Sequence, residues 1–239
     1  IRSFHPRANI SLLTNEHIDL PIFDHVISLP HGDQGGWAND WQVFEATPYR
    51  ETIKLEADMI LASEFDHWWT MLRNRDVVVS TGCRDWKDQR ARSRHYRQVF
   101  DANNLPDVYN AITYWRVSNT AHEFFRLVRN IFENWNEYKT LLRFPDDVPS
   151  TDLVYAITAK IIGPEHVTIP SMDYINFVHM KADINGFNRT KAWHETVVCE
   201  TDVPMVRINN INQYHPLHYH DKDWVTDELI EAYENELGR

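Results

Sequence analysis

TIKLEADMIL, residues 52–61, is the most strand-like segment of the chain. Apolar side chains alternate along it, at Ile53, Leu55, Ala57 and Met59, as they do in a strand with one buried face. A second segment, residues 76–80 (DVVVS), is a continuous β-branched run of the kind found in mostly parallel sheets. We therefore predict that both segments belong to the central sheet of an α/β fold.

Strand-like and helical patterns alternate along the rest of the chain. Apolar runs bounded by turn residues predict two buried strands, at residues 9–13 and 23–29, and a longer one at 108–117. Apolar residues at helical spacing predict helices over residues 39–46, 65–72, 120–138, 151–162 and 227–237. No internal repeat or linker interrupts the pattern. We predict one domain over residues 1–239, with a central, mostly parallel sheet flanked by helices.

Composition excludes several functional classes. The chain has 239 residues and a formal net charge of −11, so a general DNA-coating role is excluded. Its two cysteines, Cys83 and Cys199, give no disulfide framework, which favours a cytoplasmic location. No apolar run is long enough to span a membrane. The seven glycines form no phosphate-binding loop, which argues against kinases and dehydrogenases.

Two carboxylates lie near the carboxyl end of the predicted strand 52–61. Glu56 and Asp58 stand two positions apart at its carboxyl end, so period-two geometry places both on one side. Carboxyl ends of strands form the ligand crevice of open α/β sheets. Hard oxygen ligands suit Mg²⁺ or Mn²⁺, either of which neutralises a departing diphosphate. The pair therefore predicts a metal and diphosphate site, although two acids facing solvent would give the same pattern.

A histidine-rich segment is the second candidate for a metal site. His215, His218 and His220 are followed directly by Asp221. Imidazole suits Mn²⁺, Zn²⁺ or Fe²⁺, and alternate positions of an extended segment face one ion. A surface loop that collects histidines without a metal is the other interpretation.

Four sequence blocks together resemble GT-A fold glycosyltransferases, especially the glycogenin-like group known as family 8. Residues 47–59, TPY followed by TIKLEADM, are similar to the block that contains the family's DxD motif. Residues 109–111 (YNA), 151–153 (TDL) and 218–224 (HYHDKDW) resemble three later blocks and occur in the family's order. The resemblance covers about residues 8–224. It implies a GT-A-like, Rossmann-like fold and metal-dependent sugar transfer from a nucleotide-sugar, most often UDP-linked, to an acceptor hydroxyl.

The resemblance also implies which residues hold the metal. Glu56 and Asp58 match the two acids of the DxD motif, with Glu56 in place of the usual first Asp. His218 matches the third metal ligand, and His220 competes with it because the segment is shorter than the family's. The implied cofactor is Mn²⁺ or Mg²⁺.

Roles for donor binding and catalysis follow from the same resemblance. Lys222 and Trp224 would lie over the donor diphosphate, where Lys222 stabilises the leaving group. Asn110 and Ala111 would line the donor-sugar pocket, and Asp152 would orient the sugar or the acceptor.

Two other functions compete with this one. A metal-dependent hydrolase or oxygenase would be centred on His215, His218 and His220. A catalytically silent GT-A-like binding module is the other, because Ile112 replaces the family's glycine and the family's first strand is expected upstream of Ile1.

A basic run suggests the chemistry of the acceptor. Six cations lie between Arg84 and Arg97, interleaved with Trp86, His95 and Tyr96. We predict a solvent-facing loop or helix there. Arginines with aromatic neighbours bind phosphate backbones, although a solvated basic helix that pairs with nearby acids is the other interpretation. In the enzymes that the chain resembles, the region after the DxD strand often faces the acceptor, so the resemblance implies an anionic glycan or DNA with hydroxymethylated bases as the acceptor.

Overall fold

The chain folds into a mixed α/β structure, described by a computed structural model over residues 1–91, 97–170, 175–181 and 190–237. The strands are β1 (Ser11–Leu13), β2 (His25–Ile27), β3 (Glu51–Leu55), β4 (Met59–Ile60), β5 (Val77–Thr81), β6 (Val108–Arg116), β7 (Thr168–Pro170), β8 (Val178–His179), β9 (Cys199–Asp202), β10 (Met205–Ile208), β11 (Ile211–Gln213) and β12 (Leu217–His218). The α-helices are α1 (Val43–Ala46), α2 (His67–Leu72), α3 (Gln98–Ala102), α4 (Asn119–Glu133), α5 (Trp135–Leu142), α6 (Thr151–Ile162), α7 (Pro164–Val167) and α8 (Asp227–Leu237). The 3₁₀ helices in the described ranges are Gly36–Gln42, Trp193–Glu195 and Lys222–Trp224.

The central sheet has four strands in the order β3-β6-β5-β7. Strand β6 runs antiparallel to both β3 and β5, and only β7 is parallel to its neighbour β5. The prediction of a mostly parallel central sheet is therefore wrong, and the sheet is mixed. A β-branched run such as DVVVS reports burial on both faces, which it has, and carries no information about strand direction.

Helices cover both faces of this sheet, as predicted. Val77 and Val79 of β5 point into a core shared with α4 and α6. Val78, between them, points into a second core shared with α2. Successive side chains of a strand face opposite sides, so the sheet separates two cores.

The segment 52–61 is not one strand. Strand β3 ends at Leu55, and the chain resumes as β4 at Met59 in a different sheet, where β4 pairs with β12. Residues 56–58 form the connection between the two sheets. Glu and Asp are poor strand formers, and here they lie where the ladder is interrupted.

Some other boundaries also differ from the sequence pattern. Residues 9–13 and 23–29 form β1 and β2, but these short strands pair with each other and are partly exposed rather than buried. The predicted helix 120–138 is divided at Asn134 into α4 and α5. Helix α6 has the predicted bounds, and Ser150 caps it by accepting a hydrogen bond from the amide of Leu153.

A three-stranded sheet, β4-β12-β8, lies beside the central one. His218 of β12 is paired with Met59 of β4 on one side and with His179 of β8 on the other. This pairing brings a residue near the carboxyl end of the chain next to the Glu56 to Asp58 connection. None of the helices in the described ranges has the length and apolar character needed to cross a bilayer.

Candidate metal centre

Glu56, Asp58 and His218 converge at one point, and we call this candidate cation site the metal centre. Backbone hydrogen bonds fix the connection that carries the two acids: the Glu56 amide donates to the Ala111 carbonyl at 3.2 Å, and the Tyr219 amide donates to the Asp58 carbonyl at 3.1 Å. Both contacts join the connection to residues distant in sequence. The acids are therefore placed by two different sheets.

Three atoms define the centre. Nε2 of His218 lies 3.1 Å from Oε2 of Glu56 and 3.1 Å from Oδ1 of Asp58. One ligand atom from each of the three residues lies within 4.8 Å of the other two. Carboxylate oxygens and an imidazole nitrogen at this separation suit Mn²⁺, and Mg²⁺ through the oxygens.

The hydrogen bonding of His218 Nε2 indicates whether a cation fits the site. Nε2 is buried, and no atom in the described part of the chain makes a hydrogen bond of acceptable geometry with it. Its two carboxylate contacts, at 3.1 Å each, are ion-pair contacts. A buried polar atom without a hydrogen bond is rare and needs a reason, and a lone pair directed at a bound cation supplies one.

The charged groups of the metal centre shift one another's pKa values. Burial alone would lower the pKa of His218, but the contacts with the carboxylates of Asp58 and Glu56 outweigh it and raise that pKa to about 9. Burial alone would raise the pKa of Asp58, but His218 and Lys222 hold it well below its usual range. In the absence of a metal, a proton on His218 therefore partly compensates the two carboxylates.

Lys222 extends from the centre toward solvent. Its Nζ lies 2.9 Å from Oδ2 of Asp58, while 71% of its side chain is exposed. It stands in the 3₁₀ helix Lys222–Trp224, where Asp221 caps the turn by accepting from the Asp223 amide. An exposed ammonium beside a metal centre is placed to meet an anionic ligand.

Trp224, at the end of the same turn, is buried. Its ring packs 5.2 Å from that of Trp193 and 5.5 Å from that of Tyr219, measured between centroids. Only 8% of the residue is exposed. The indole holds the turn that carries Lys222, and the structure gives it little surface for a donor.

Behind the centre lies a group of polar side chains, some buried and some half-buried, that we call the buried network: Asp40, Lys54, Asn110 and Tyr155. Nζ of Lys54 lies 2.8 Å from Oδ1 of Asp40 and 3.9 Å from Oε1 of Glu56. Oδ2 of Asp40 accepts from Nδ2 of Asn110 at 3.1 Å and from the Tyr155 hydroxyl. Burial would lower the pKa of Lys54, but Asp40 and Glu56 reverse this and raise it. Lys54 therefore stays charged.

Asn110 and Ala111, the expected donor-sugar residues, lie inside the fold. Asn110 is fully buried, and besides its bond to Asp40 its Oδ1 accepts from the Thr113 hydroxyl at 2.6 Å. Ala111 is 3% exposed. The Ala111 carbonyl accepts from the Glu56 amide, but the side chain of Asn110 is already occupied within the protein.

Asp152 organises the start of β6. Its Oδ1 accepts from the Asn110 amide at 2.7 Å, and its Oδ2 lies 3.0 Å from Nη2 of Arg97. Its side chain is 23% exposed. Arg97 is buried, and its guanidinium also lies over the ring of Tyr109 at 3.6 Å from the centroid.

The histidine-rich segment does not act as a unit. His215 faces Asp88, with 3.7 Å between Nε2 and Oδ1, and His220 is exposed with its ring centroid 6.1 Å from that of His218. Within the described residues, the ligand cluster contains His218 and neither of the other two. A site made of all three imidazoles is therefore not what the fold assembles.

The basic run is not a uniformly solvated face, contrary to the prediction. Arg97 is buried against Asp152 and Asp107. Arg84 is bonded to Asn176 and Asp88. Arg92, Arg94, His95 and Tyr96 lie outside the described residues.

Sequence reasoning missed Asp40, Lys54, Tyr155 and His179 as parts of this region. Lys54 carries a signal, because a lysine inside an apolar strand needs a buried partner. Asp40 lies within the predicted helix 39–46 but belongs to no motif, and His179 stands in a segment with no distinguishing pattern.

No protein-family model matches the chain, and no curated protein matches its sequence.

Proposed function

We propose that the protein is a metal-dependent glycosyltransferase of GT-A-like fold that transfers a sugar from a UDP-linked donor to an acceptor hydroxyl. The observation that carries the proposal is the convergence of Glu56, Asp58 and His218 around a buried imidazole nitrogen without a hydrogen bond. Two of the sequence blocks that resemble the family meet there, although His218 follows Asp58 by 160 positions. Chance resemblance of separate blocks gives no reason for such a meeting.

The chemistry required is stabilisation of a diphosphate leaving group. Glu56, Asp58 and His218 would hold a divalent cation, which would supply Lewis acidity to the diphosphate. Lys222, exposed at the rim, exchanges its contact with Asp58 for a phosphate oxygen and adds a second positive charge. Lys222 is mostly exposed, so this exchange would not require the core to rearrange.

Asp152 has a different place in this proposal from the one the family implies. Its carboxylate oxygens are bonded to the Asn110 amide and to Arg97. It therefore positions the start of β6, next to Glu56, instead of orienting a sugar directly. A role at the sugar would require one of these bonds to open.

A catalytically silent binding module is the second candidate, and one observation favours it. Asn110 is fully buried with both side-chain polar atoms bonded within the protein, so it offers nothing to a donor sugar. Such a module would retain the metal centre and the diphosphate contact. It would bind a nucleotide-sugar without cleaving it.

A thermal-shift panel of nucleotides and UDP-sugars, with and without Mn²⁺, tests the proposal. A ligand at 100 times its Kd stabilises a protein by about 2.7 kcal/mol. We expect stabilisation by a UDP-sugar that requires Mn²⁺ and disappears in Asp58→Asn, followed by donor hydrolysis or transfer. Mn²⁺-dependent stabilisation without turnover identifies the binding module. No response to any nucleotide, from a protein shown to be folded, contradicts both.

A further inference from the structure

His179 makes a close contact with His218 on the side away from the carboxylates. The two Nδ1 atoms are 2.9 Å apart, and the residues are 7% and 4% exposed. They occupy paired positions of the parallel strands β8 and β12. The contact is therefore fixed by the sheet and is not a chance approach of two loops.

Proton counting determines the direction of this hydrogen bond. A contact between two Nδ1 atoms holds one proton, so one ring donates and the other accepts. Nε2 of His218 can bind a cation only through its lone pair, which requires the proton of the neutral ring on Nδ1. His218 is then the donor, and His179 must offer an unprotonated Nδ1.

The surroundings of His179 hold its ring in place. The ring packs against Tyr109 at 5.5 Å between centroids. Its backbone amide donates to the Arg84 carbonyl at 2.9 Å, and the next amide, that of Met180, donates to the His218 carbonyl at 2.9 Å.

We propose that His179 is a positioning residue: by accepting the Nδ1 proton of His218, it fixes the tautomer and ring orientation in which His218 Nε2 binds a divalent cation. This inference rests on the metal centre of the proposed function. Groups that bond the second nitrogen of a metal-binding imidazole commonly set its orientation and raise its basicity. Here that group is a second imidazole instead of a carboxylate or a carbonyl.

Two substitutions of similar polarity separate this role from simple packing. In His179→Asn, the side-chain amide occupies the position of Nδ1 and still offers an acceptor oxygen to His218. In His179→Gln, the amide reaches the position of Nε2 and leaves the Nδ1 proton of His218 without a partner. Gln is also closer to His in length, so a packing role favours Gln and a positioning role favours Asn.

The measurement is Mn²⁺ affinity, by electron paramagnetic resonance titration of the full chain with the metal alone. We expect His179→Asn to bind nearly as tightly as wild type and His179→Gln to bind about 10- to 100-fold more weakly. Equal affinity of the two variants, or weaker binding by Asn, overturns the inference while leaving the metal centre standing. Failure of the wild-type chain to bind Mn²⁺ overturns the metal centre, and the inference with it.

A measurement on the wild-type chain covers the case in which either variant fails to fold. Long-range ¹⁵N–¹H NMR spectra of the histidine rings, with diamagnetic Zn²⁺ added, report which nitrogen carries the proton. We expect His218 with Nδ1 protonated and Nε2 bound to the metal, beside a His179 protonated at Nε2 only. A proton on Nδ1 of His179, or a metal-bound His179, overturns the inference.

Discussion

The metal centre and the buried network are neighbouring groups of charged and polar side chains. They differ in how many of their donors and acceptors are hydrogen-bonded within the group. In the network, the Asp40 carboxylate is met by Lys54, Asn110 and Tyr155. In the centre, two carboxylates surround an imidazole nitrogen that makes no hydrogen bond within the described residues. Glu56 stands between them, 3.9 Å from Nζ of Lys54.

This difference indicates which of the two charged clusters can accept a ligand. A network whose donors and acceptors are all matched has no capacity left for an added ion, so its role is to stabilise the fold. A cluster in which two carboxylates meet one titratable imidazole can exchange the proton of that ring for a cation. Substitutions in the network should therefore change stability, and substitutions in the centre should change metal binding.

The largest expected effect is the loss of stability in Lys54→Met. Removing this cation leaves the largely enclosed Asp40 carboxylate without its counter-charge, which costs about 3–5 kcal/mol of unfolding free energy. Urea denaturation measures it. The double variant with Asp40→Asn, which leaves no unpaired charge, should recover part of the loss. Lys139→Met, at a more exposed ion pair with Asp147, is the control and should change the midpoint little.

The second prediction concerns activity. Asp58→Asn should reduce sugar transfer by at least about 100-fold, because it removes one of the charges that hold the cation. The Asn side chain keeps the shape of the site, so the protein should remain folded, unlike the Lys54 variant. Asp202→Asn, at an exposed position on β9, is the matched control. Near-wild-type turnover by Asp58→Asn would remove Asp58 from the mechanism.

The third prediction is a pair of opposite pH dependences. The pKa of His218 is raised to about 9 in the fold, above the ordinary value of about 6.5. Its contribution to metal-free stability is therefore fully present below about pH 6.5 and is lost as pH rises through 9. Cation binding needs the neutral ring, so Mn²⁺ affinity should instead rise about tenfold per pH unit over this window.

Two sets of unfolding curves, with and without Mn²⁺, check the signs between pH 6.5 and 9. The extra stability conferred by Mn²⁺ should grow across the window while the metal-free stability falls. An Mn²⁺ effect that is constant with pH would show that His218 is not a ligand.

The smallest expected effect is that of Lys222→Ala. This exposed ammonium contributes one charge-assisted hydrogen bond to a diphosphate, so UDP affinity in Mn²⁺ should fall about five- to tenfold. Affinity for Mn²⁺ alone and folding should be retained. Lys222→Arg keeps the charge and should keep most of the UDP affinity. Calorimetric titration of UDP distinguishes these results, and unchanged affinity in Lys222→Ala would contradict its role.

Local patterns predicted the helices better than the sheet. Helix α6 agrees with its predicted bounds because Ser150 and Gly163 mark its ends in the sequence. Strand direction in the central sheet was predicted wrongly because hydrophobicity reports burial and not orientation. The break after Leu55 depends on β12 pairing with β4, a partner more than 150 positions away.

The candidate site shows the same limit. The period-two spacing predicted that Glu56 and Asp58 lie together. The pairing of β12 with β4 then brings His218 next to them. The choice between His218 and His220 could not be made from sequence, because it depends on which residue is paired with β4 and β8. Asp40 belongs to no motif although it precedes the TPY block closely, and His179 is 39 positions from His218, so no spacing rule indicates that either reaches the site.

The most direct test of the central claim is a Mn²⁺ titration of the wild-type chain and of Asp58→Asn, followed by electron paramagnetic resonance. If the metal centre is a cation site, the wild type binds one Mn²⁺ per chain, addition of UDP tightens that binding, and Asp58→Asn binds none in the same range. Glu56, Asp58 and His218 do not form a cation site if the wild type shows no saturable binding, or if Asp58→Asn binds Mn²⁺ as tightly as the wild type.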